Sequence, residues 1–177
     1  MKNIIKVLVT IFIVIFICLI ILNQFTNQKI LTEIIINAPS EDVWQVLMNH
    51  EEYPNWNPFI INIDGSAKVG EKISVTIHPK GKDPMVFNPI VLKNEYVTEF
   101  RWLGKLFIKG LFDGEHFFIL KKTSSDYTLF VHGENFSGIF SGLLMQLTGE
   151  TTLTGFIDMN NALKKEAESK NEKLIAL

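Results

Sequence analysis

His116-Phe-Phe-Ile-Leu-Lys121 and Tyr127-Thr-Leu-Phe-Val-His-Gly-Glu-Asn135 stand on either side of Ser124-Ser125-Asp126. Both runs are rich in β-branched and aromatic residues, and the polar triplet between them predicts a hairpin turn. Alternate residues of a strand share a face, so His116, Phe118 and Leu120 point one way, and Phe130, His132, Glu134 and Phe136 form a second such row. Upstream, residues 60–64, 72–78, 85–92 and 99–106 are further short runs, broken by Gly65-Ser66 and by the segment 79–84. Strands at that spacing predict an antiparallel meander. Downstream the period changes. Ile139, Phe140, Leu143, Leu144 and Leu147 fall on one helical face, and Leu153, Phe156, Ile157, Asn160, Leu163 and Ala167 on another, which predicts a long amphipathic helix.

Ahead of the meander, residues 30–37 read as a strand that stops at Ala38-Pro39-Ser40, where the proline ends a ladder and Ser40 is placed to cap a helix. Val43, Trp44, Leu47 and Met48 give that helix an apolar face, with Glu41 and Asp42 in its first turn. Tyr53-Pro-Asn-Trp-Asn-Pro58 carries two prolines, too close together for a continuing helix, and reads as a turn or a single helical twist. Strand, short helices, six strands and a long helix make an α+β chain with a curved antiparallel sheet around its last helix. A sheet bent round a helix leaves space between the two. The chain's 14 phenylalanines supply a bulky, apolar lining for it.

The 177 residues are 47% hydrophobic and 20% charged, which excludes a disordered chain, and a single cysteine excludes an intrachain disulfide or a multi-cysteine metal cage. Lys plus Arg number 17 against 19 Asp plus Glu, so the clustered excess of cations that nucleic acid demands is missing. The distribution is uneven: residues 4–22 are almost entirely Ile, Val, Leu and Phe, and every acidic residue lies from Glu33 onward. Nineteen helical residues span about 28 Å, close to the hydrocarbon thickness of a bilayer. The apolar side chains of that stretch outweigh the cost of Lys6 near its end, about 3 kcal/mol or less. No small-x-small cleavage site follows, and Ile17 stands where a lipoprotein Cys18 would need a small residue. Residues 1–28 are therefore read as an uncleaved single-pass membrane anchor with a short linker, and 29–177 as one domain. Lys2 and Lys6 precede the span, which predicts a cytoplasmic amino terminus and a domain on the extracytoplasmic side. Without those two lysines, 15 basic residues face 19 acidic ones, and the domain carries −4. It should not cling electrostatically to anionic lipid.

Seven fragments stand in a telling order: Pro39-Ser-Glu-Asp-Val-Trp44, Tyr53-Pro-Asn-Trp-Asn-Pro-Phe59, Val69-Gly-Glu-Lys-Ile73, Arg101-Trp-Leu-Gly104, Gly110-Leu-Phe-Asp-Gly-Glu-His116, His132-Gly-Glu-Asn-Phe-Ser-Gly138 and Gly155-Phe-Ile-Asp-Met-Asn160. Over residues 29–168 the chain resembles the SRPBCC proteins, the START and pollen-allergen-like superfamily, in its polyketide-cyclase/dehydrase-type branch. The resemblance implies the helix-grip fold: two short helices and a seven-stranded antiparallel sheet gripping a long C-terminal helix around a hydrophobic cavity. It also implies binding of a lipid, sterol, polyketide or other hydrophobic small molecule, with catalysis in some branches. Many relatives are soluble, so the N-terminal anchor is a departure that favours a role at a membrane surface.

The lining expected for the cavity is Trp56, Trp102, Phe112, His116, Phe118, Phe130, His132, Glu134, Phe156, Met159 and Leu163. If their strand faces look inward, His116, His132 and Glu134 are the candidates for general acid and base on a bound carbonyl, as a cyclase or dehydratase would need. The competing reading is that they hydrogen-bond one another to satisfy a polar spot in the sheet. No compact ligand motif supports a metal site, and no cofactor is expected. The half-motif His132-x-Glu134 lacks the Pro-Cys-x-x-Cys of the zinc deaminases. Trp44, Trp56 and Trp102 are expected to pack in the core, and His50, His78 and the lone Arg101 to be solvated. Asn135-Phe136-Ser137 matches a glycosylation sequon at a strand end, a poor acceptor. The apolar connection 104–114, with Phe107, Ile108, Leu111 and Phe112 between Gly104, Gly110 and Gly114, is a candidate lid over the cavity that opens toward a membrane.

Overall fold

The computed structural model describes residues 2–24, 28–106, 108–124 and 126–175, with the side chains at 19, 21–24 and 172–175 outside the description. The element order is α1 (Lys2–Gln24), β1 (Gln28–Ile36), α2 (Ser40–Met48), a 3-10 turn (His50–Glu52), α3 (Tyr53–Trp56), β2 (Ile60–Gly65), β3 (Ile73–Ile77), β4 (Met85–Phe87), β5 (Ile90–Glu95), β6 (Glu99–Lys105), β7 (Asp113–Lys122), β8 (Thr128–Ser137) and α4 (Ser141–Ile175). This is the α+β arrangement expected, an antiparallel layer folded against one long terminal helix. Of the hairpin triplet Ser125, and of the proposed lid Phe107, lie outside the described residues.

The layer departs from one seven-stranded sheet. Five strands run in the order β1-β8-β7-β6-β5, and β2-β3-β4 form a separate three-stranded sheet. The break falls within the run 85–92, read from sequence as one strand. Pro89 there has no N–H to give a ladder, and the chain divides into β4 and β5 around it. The two sheets stay stitched: Lys72 bridges Ile90. Ile73 N–H donates to the Pro89 carbonyl at 3.0 Å, and Gly70 N–H to the Val91 carbonyl at 2.9 Å.

Ser40 does not cap. Pro39 occupies the N-cap position of α2, and the Ser40 hydroxyl is buried 3.0 Å from that of Thr128, whose own hydroxyl donates to the Ala38 carbonyl. The serine ties the start of the helix to the first residue of β8, an interior strand of the large sheet. The core runs along the concave side of that sheet: Phe118, Phe130, Phe156, Met159 and Leu163 are fully buried together, joined by Ile36, Leu47 and Phe100. Burying each such side chain contributes about 1.5–3 kcal/mol. Only one stripe of α4 takes part. Phe156, Met159, Asn160, Leu163 and Ala167 are buried, whereas Leu143, Leu147, Leu153 and Ile157 from the expected apolar faces are exposed.

Among the described residues no helix is long and apolar enough to cross a membrane. The expected transmembrane helix is therefore not supported by the described residues, which leave out side chains at 19 and 21–22 within the apolar run. The backbone is helical from Lys2 to Gln24, and the large hydrophobics from Ile4 to Ile17 are exposed on every face.

Candidate functional site: a cavity floored by a histidine–glutamate row

Register places the polar candidates in one row across the large sheet. Trp102 of β6 is paired with His116 of β7, and His116 with Glu134 of β8. All three point to the concave face and line the cavity. The Trp102 indole lies flat on the His116 imidazole, ring centres 4.6 Å apart and planes within 5°. Glu134 Oε2 stands 3.3 Å from His116 Nδ1. The far nitrogen, His116 Nε2, meets His132 Nε2 at 3.0 Å, and His132 Nδ1 reaches Asn160 Oδ1 at 2.8 Å. Asn160 in turn donates its amide to the Thr32 hydroxyl, which donates to the His132 carbonyl.

Partners fix the proton positions along this chain. Asn160 uses its amide on Thr32, so its oxygen accepts from His132 Nδ1–H. The remaining His132 nitrogen then accepts from His116 Nε2–H, and His116 Nδ1 is left as an acceptor for the Glu134 carboxylic acid. Burial favours that uncharged arrangement. It pushes the Glu134 carboxyl up to about 8, lowers His116 to about 3, and lowers His132 well below its usual value, with the neighbouring His116 adding to the effect. If the proton crosses to His116, the bond to Glu134 is kept with donor and acceptor exchanged. The pair is thus a holder of one proton. Gly114 makes room for it, because a Cβ there would stand 2.1 Å from Glu134 Oε1.

Above the row lies a cavity of about 290 Å³. Its floor includes Trp102, His116, Glu134 and Phe136, one wall is Ile60, Val75, Ile77 and Phe87 of the small sheet, and the other is Leu144, Thr148, Thr151 and Thr152 of α4. The exposed lining residues Lys82, Met85 and Lys105 mark its mouth. Of the lining expected from sequence, Trp102, Phe112, His116 and Glu134 reach this space. Phe118, Phe130, His132, Phe156, Met159 and Leu163 lie behind it in solid core, and Trp56 packs on Tyr53 at 5.0 Å. His132 is consequently a support for His116 and does not touch the cavity; its ring is pressed on Phe156 at 3.9 Å. The small-sheet wall and the threonines were missed. Alternation in Ile73, Val75 and Ile77, and Thr148, Thr151 and Thr152 at helical spacing beside Leu144, were the available signals.

Other expectations resolve locally. His50 is not solvated: it packs on Tyr53 and Phe100, and burial lowers it to about 4. His78 is exposed as expected. Arg101 points outward but is engaged, pairing with Glu99 and Glu115 and lying 4.7 Å over the Phe117 ring. Trp44 and Trp102 are both buried. The connection after β6 is fastened, with Ile139 and Phe140 N–H groups donating to the Gly110 and Leu111 carbonyls at 2.9 and 2.8 Å. Among the described residues no group of three or more His, Cys, Asp or Glu is placed to hold a metal ion.

No family model and no curated protein matches the sequence. Solved structures do. The Zhui aromatase/cyclase from Streptomyces sp. R1128 is similar with a TM-score of 0.63 at 12% identity, over 81% of this chain and 94% of that one. A point mutant of norcoclaurine synthase from Thalictrum flavum, in complex with a transition-state analogue, gives 0.61 at 15% identity over 82% and 96%. A START superfamily protein from Mycobacterium smegmatis gives 0.60 at 18% identity over 84% and 99%. Identities this low speak for the fold alone, and the chain shares the helix-grip fold of these structures.

Proposed function

We propose that this protein binds a hydrophobic small molecule or lipid-like ligand in its internal cavity and is held to a bilayer by residues 4–22, with 29–177 as the binding domain. The observation that carries the reading is the 290 Å³ space, walled by apolar side chains and floored by one carboxyl–imidazole pair. That volume sits at the lower end of ligand pockets, roughly ten water-sized units. One acyl chain or a compact ring system fits it; a whole two-chain lipid does not. A hydroxyl or carbonyl on the guest would meet Glu134 or the row of threonines. The anchor is supported by a nineteen-residue run with Lys6 and Thr10 as its clearly polar members, a composition that favours insertion. Lys2 before the run and Lys6 in its first turn favour a single-pass topology with the domain on the extracytoplasmic side.

Mass spectrometry of the purified full chain, extracted with organic solvent, tests the binding. An apolar compound in stoichiometric amount is expected, and its absence after purification in mild detergent overturns the reading. Protease added to intact cells tests the topology; a protected domain reverses it.

A second reading rests on the placement of Glu134 at the cavity floor, its Oε2 3.3 Å from His116 Nδ1, where burial raises the carboxyl to about 8. A largely desolvated acid that keeps its proton near neutrality is a general acid in waiting, suited to cyclisation or dehydration of a hydrophobic, polyketide-like substrate. Glu134→Gln keeps the shape and removes the acid. Turnover of the identified ligand that survives this change eliminates the enzyme.

A further inference from the structure

The register of the large sheet brings the tether and the cavity mouth to the same end. Gln28, the first residue of β1, is paired with Phe136; Ser137 is paired with Asp113, and Asp113 with Lys105. β1, β8, β7 and β6 thus all have their 28, 137, 113 and 105 termini together, and Lys105, Phe112, Gly114 and Phe136 at that end line the cavity. From Gln24, the end of α1, to Gln28 there are four Cα steps, a reach of at most about 14 Å. Three strand spacings, about 14 Å, separate β1 from β6. A domain anchored through α1 therefore cannot turn its mouth far from the bilayer.

The same end is greasy. Ile108 and Leu147 are each 66% exposed, Leu143 57% and Phe140 39%. They form one rim, since the segment carrying Ile108 is fastened to the start of α4 by the two backbone bonds from Ile139 and Phe140. Leu143 and Leu147 flank Leu144 and Thr148, which face the cavity. Lys105 and Lys109 are exposed on the same rim, in position to meet headgroup phosphates. Apolar side chains of this kind, carried on an ordered turn and a helix end, are suited to burial several ångströms into a lipid interface.

We infer that the rim of Ile108, Phe140, Leu143 and Leu147 docks on the bilayer that holds α1, so that the cavity mouth opens against lipid and the ligand enters from the membrane and not from water. This rests on the anchor and ligand readings above and adds the surface, its orientation and the route. Such a guest is a membrane-dissolved molecule with one chain or a few rings, or one acyl chain of a lipid whose headgroup stays at the mouth.

The test uses the full chain with Cys18→Ser, reconstituted in phosphatidylcholine vesicles with brominated acyl chains. A polarity-sensitive fluorophore is placed in turn on Ile108→Cys, Leu147→Cys and, as a control, Tyr96→Cys, which is 70% exposed in the β5–β6 turn at the opposite end of the sheet. Several-fold stronger quenching at 108 and 147 than at 96 is expected. Equal quenching at all three, or none at the rim, overturns the docking, as does release of the chain from vesicles by alkaline carbonate. Because a label perturbs its site, the unlabelled Ile108→Glu/Leu147→Glu chain is loaded in parallel from vesicles. A several-fold loss of co-purifying apolar compound at unchanged melting temperature is expected, and unchanged loading overturns the entry route. A compound recovered from a rim that is not quenched sinks the docking and leaves ligand binding standing. A quenched rim with no compound in the unsubstituted chain leaves the docking and removes the ligand and its route.

Discussion

His116 Nδ1 and Glu134 Oε2 meet 3.3 Å apart across the register pair that joins β7 to β8, at hydrogen-bond distance on the floor of the cavity. Polar groups this deep are costly unless each has a partner, and here each does. The row continues through His132 and Asn160 to Thr32, so the large sheet and α4 are locked by the same bonds that poise the carboxyl.

Stability should peak near pH 6.5. Glu134 is raised by burial, so its contribution is complete below about 4.5 and is lost as pH climbs through about 8. His50, His116 and His132 are lowered by burial, so theirs is complete above about 6.5 and lost as pH falls toward their folded values. Between 4.5 and 6.5 the trends oppose, and three histidines outnumber one carboxyl. From pH 6.5 to 8 the loss from Glu134 is about 2 kcal/mol. Glu134→Gln presents a permanent N–H to His116 and should flatten that alkaline limb while leaving the acid limb. Melting curves of the full chain in detergent across pH 5–9 decide it; parallel alkaline slopes in both chains would show that Glu134 is ionised in the fold.

Asn160→Leu is expected to cost about 1–3 kcal/mol. The change removes the side-chain acceptor of His132 Nδ1 and the amide donor to the Thr32 hydroxyl, leaving His132 with its backbone bond to Phe156 and Thr32 with its bond to the His132 carbonyl, and each lost buried bond costs stability. Held then by the Phe156 backbone alone, the His132 ring is less tightly fixed, and His116 with it. Thermal melts, with imidazole proton resonances as the second readout, check this. A drop in melting temperature with the His116 signals unmoved would reduce Asn160 to a packing residue.

Period and turn chemistry made most of the fold legible. The alternation through His116, Phe118 and Leu120 and through His132, Glu134 and Phe136 puts each row on a single strand face, because a strand has a period of two and little freedom to depart from it. What pattern could not say is how deep each inward residue lies. Phe118 and His132 point the same way as His116, yet α4 presses Phe156 onto His132 and leaves His116 at the open end. Depth is set by where the helix crosses the sheet, a long-range fact absent from local sequence. The division of the sheet at Pro89 was visible in principle, since a proline inside a strand run is a breaker. The bridge Lys72 to Ile90 that keeps the halves together was not, because it joins distant segments.

Gly155 sits inside α4, where glycine is worth about 1 kcal/mol less than alanine. Its place there is explained by Phe59, since a Cβ on Gly155 would stand 2.2 Å from the ring. Gly155→Ala should therefore destabilise despite the better helix former, the overpacking of about 1–3 kcal/mol exceeding the gain. Combining it with Phe59→Leu should recover stability relative to Phe59→Leu alone, because the smaller side chain vacates the contested space. A double-mutant cycle on melting temperatures measures the coupling, and simple additivity would mean the ring moves aside without strain.

Filling the cavity separates ligand binding from folding. Thr151 and Thr152 lie on the α4 wall and are only partly buried, so Thr151→Phe directs its ring into empty space and not into packed core. The added ring occupies a substantial part of a 290 Å³ volume and gains apolar contacts there, so the melting temperature should hold or rise slightly. The co-purifying apolar compound should fall several-fold. Retention of the compound at wild-type stoichiometry would place the guest elsewhere on the molecule, whereas loss of fold would show that the space between α4 and the small sheet is narrower than the side chain it must accept.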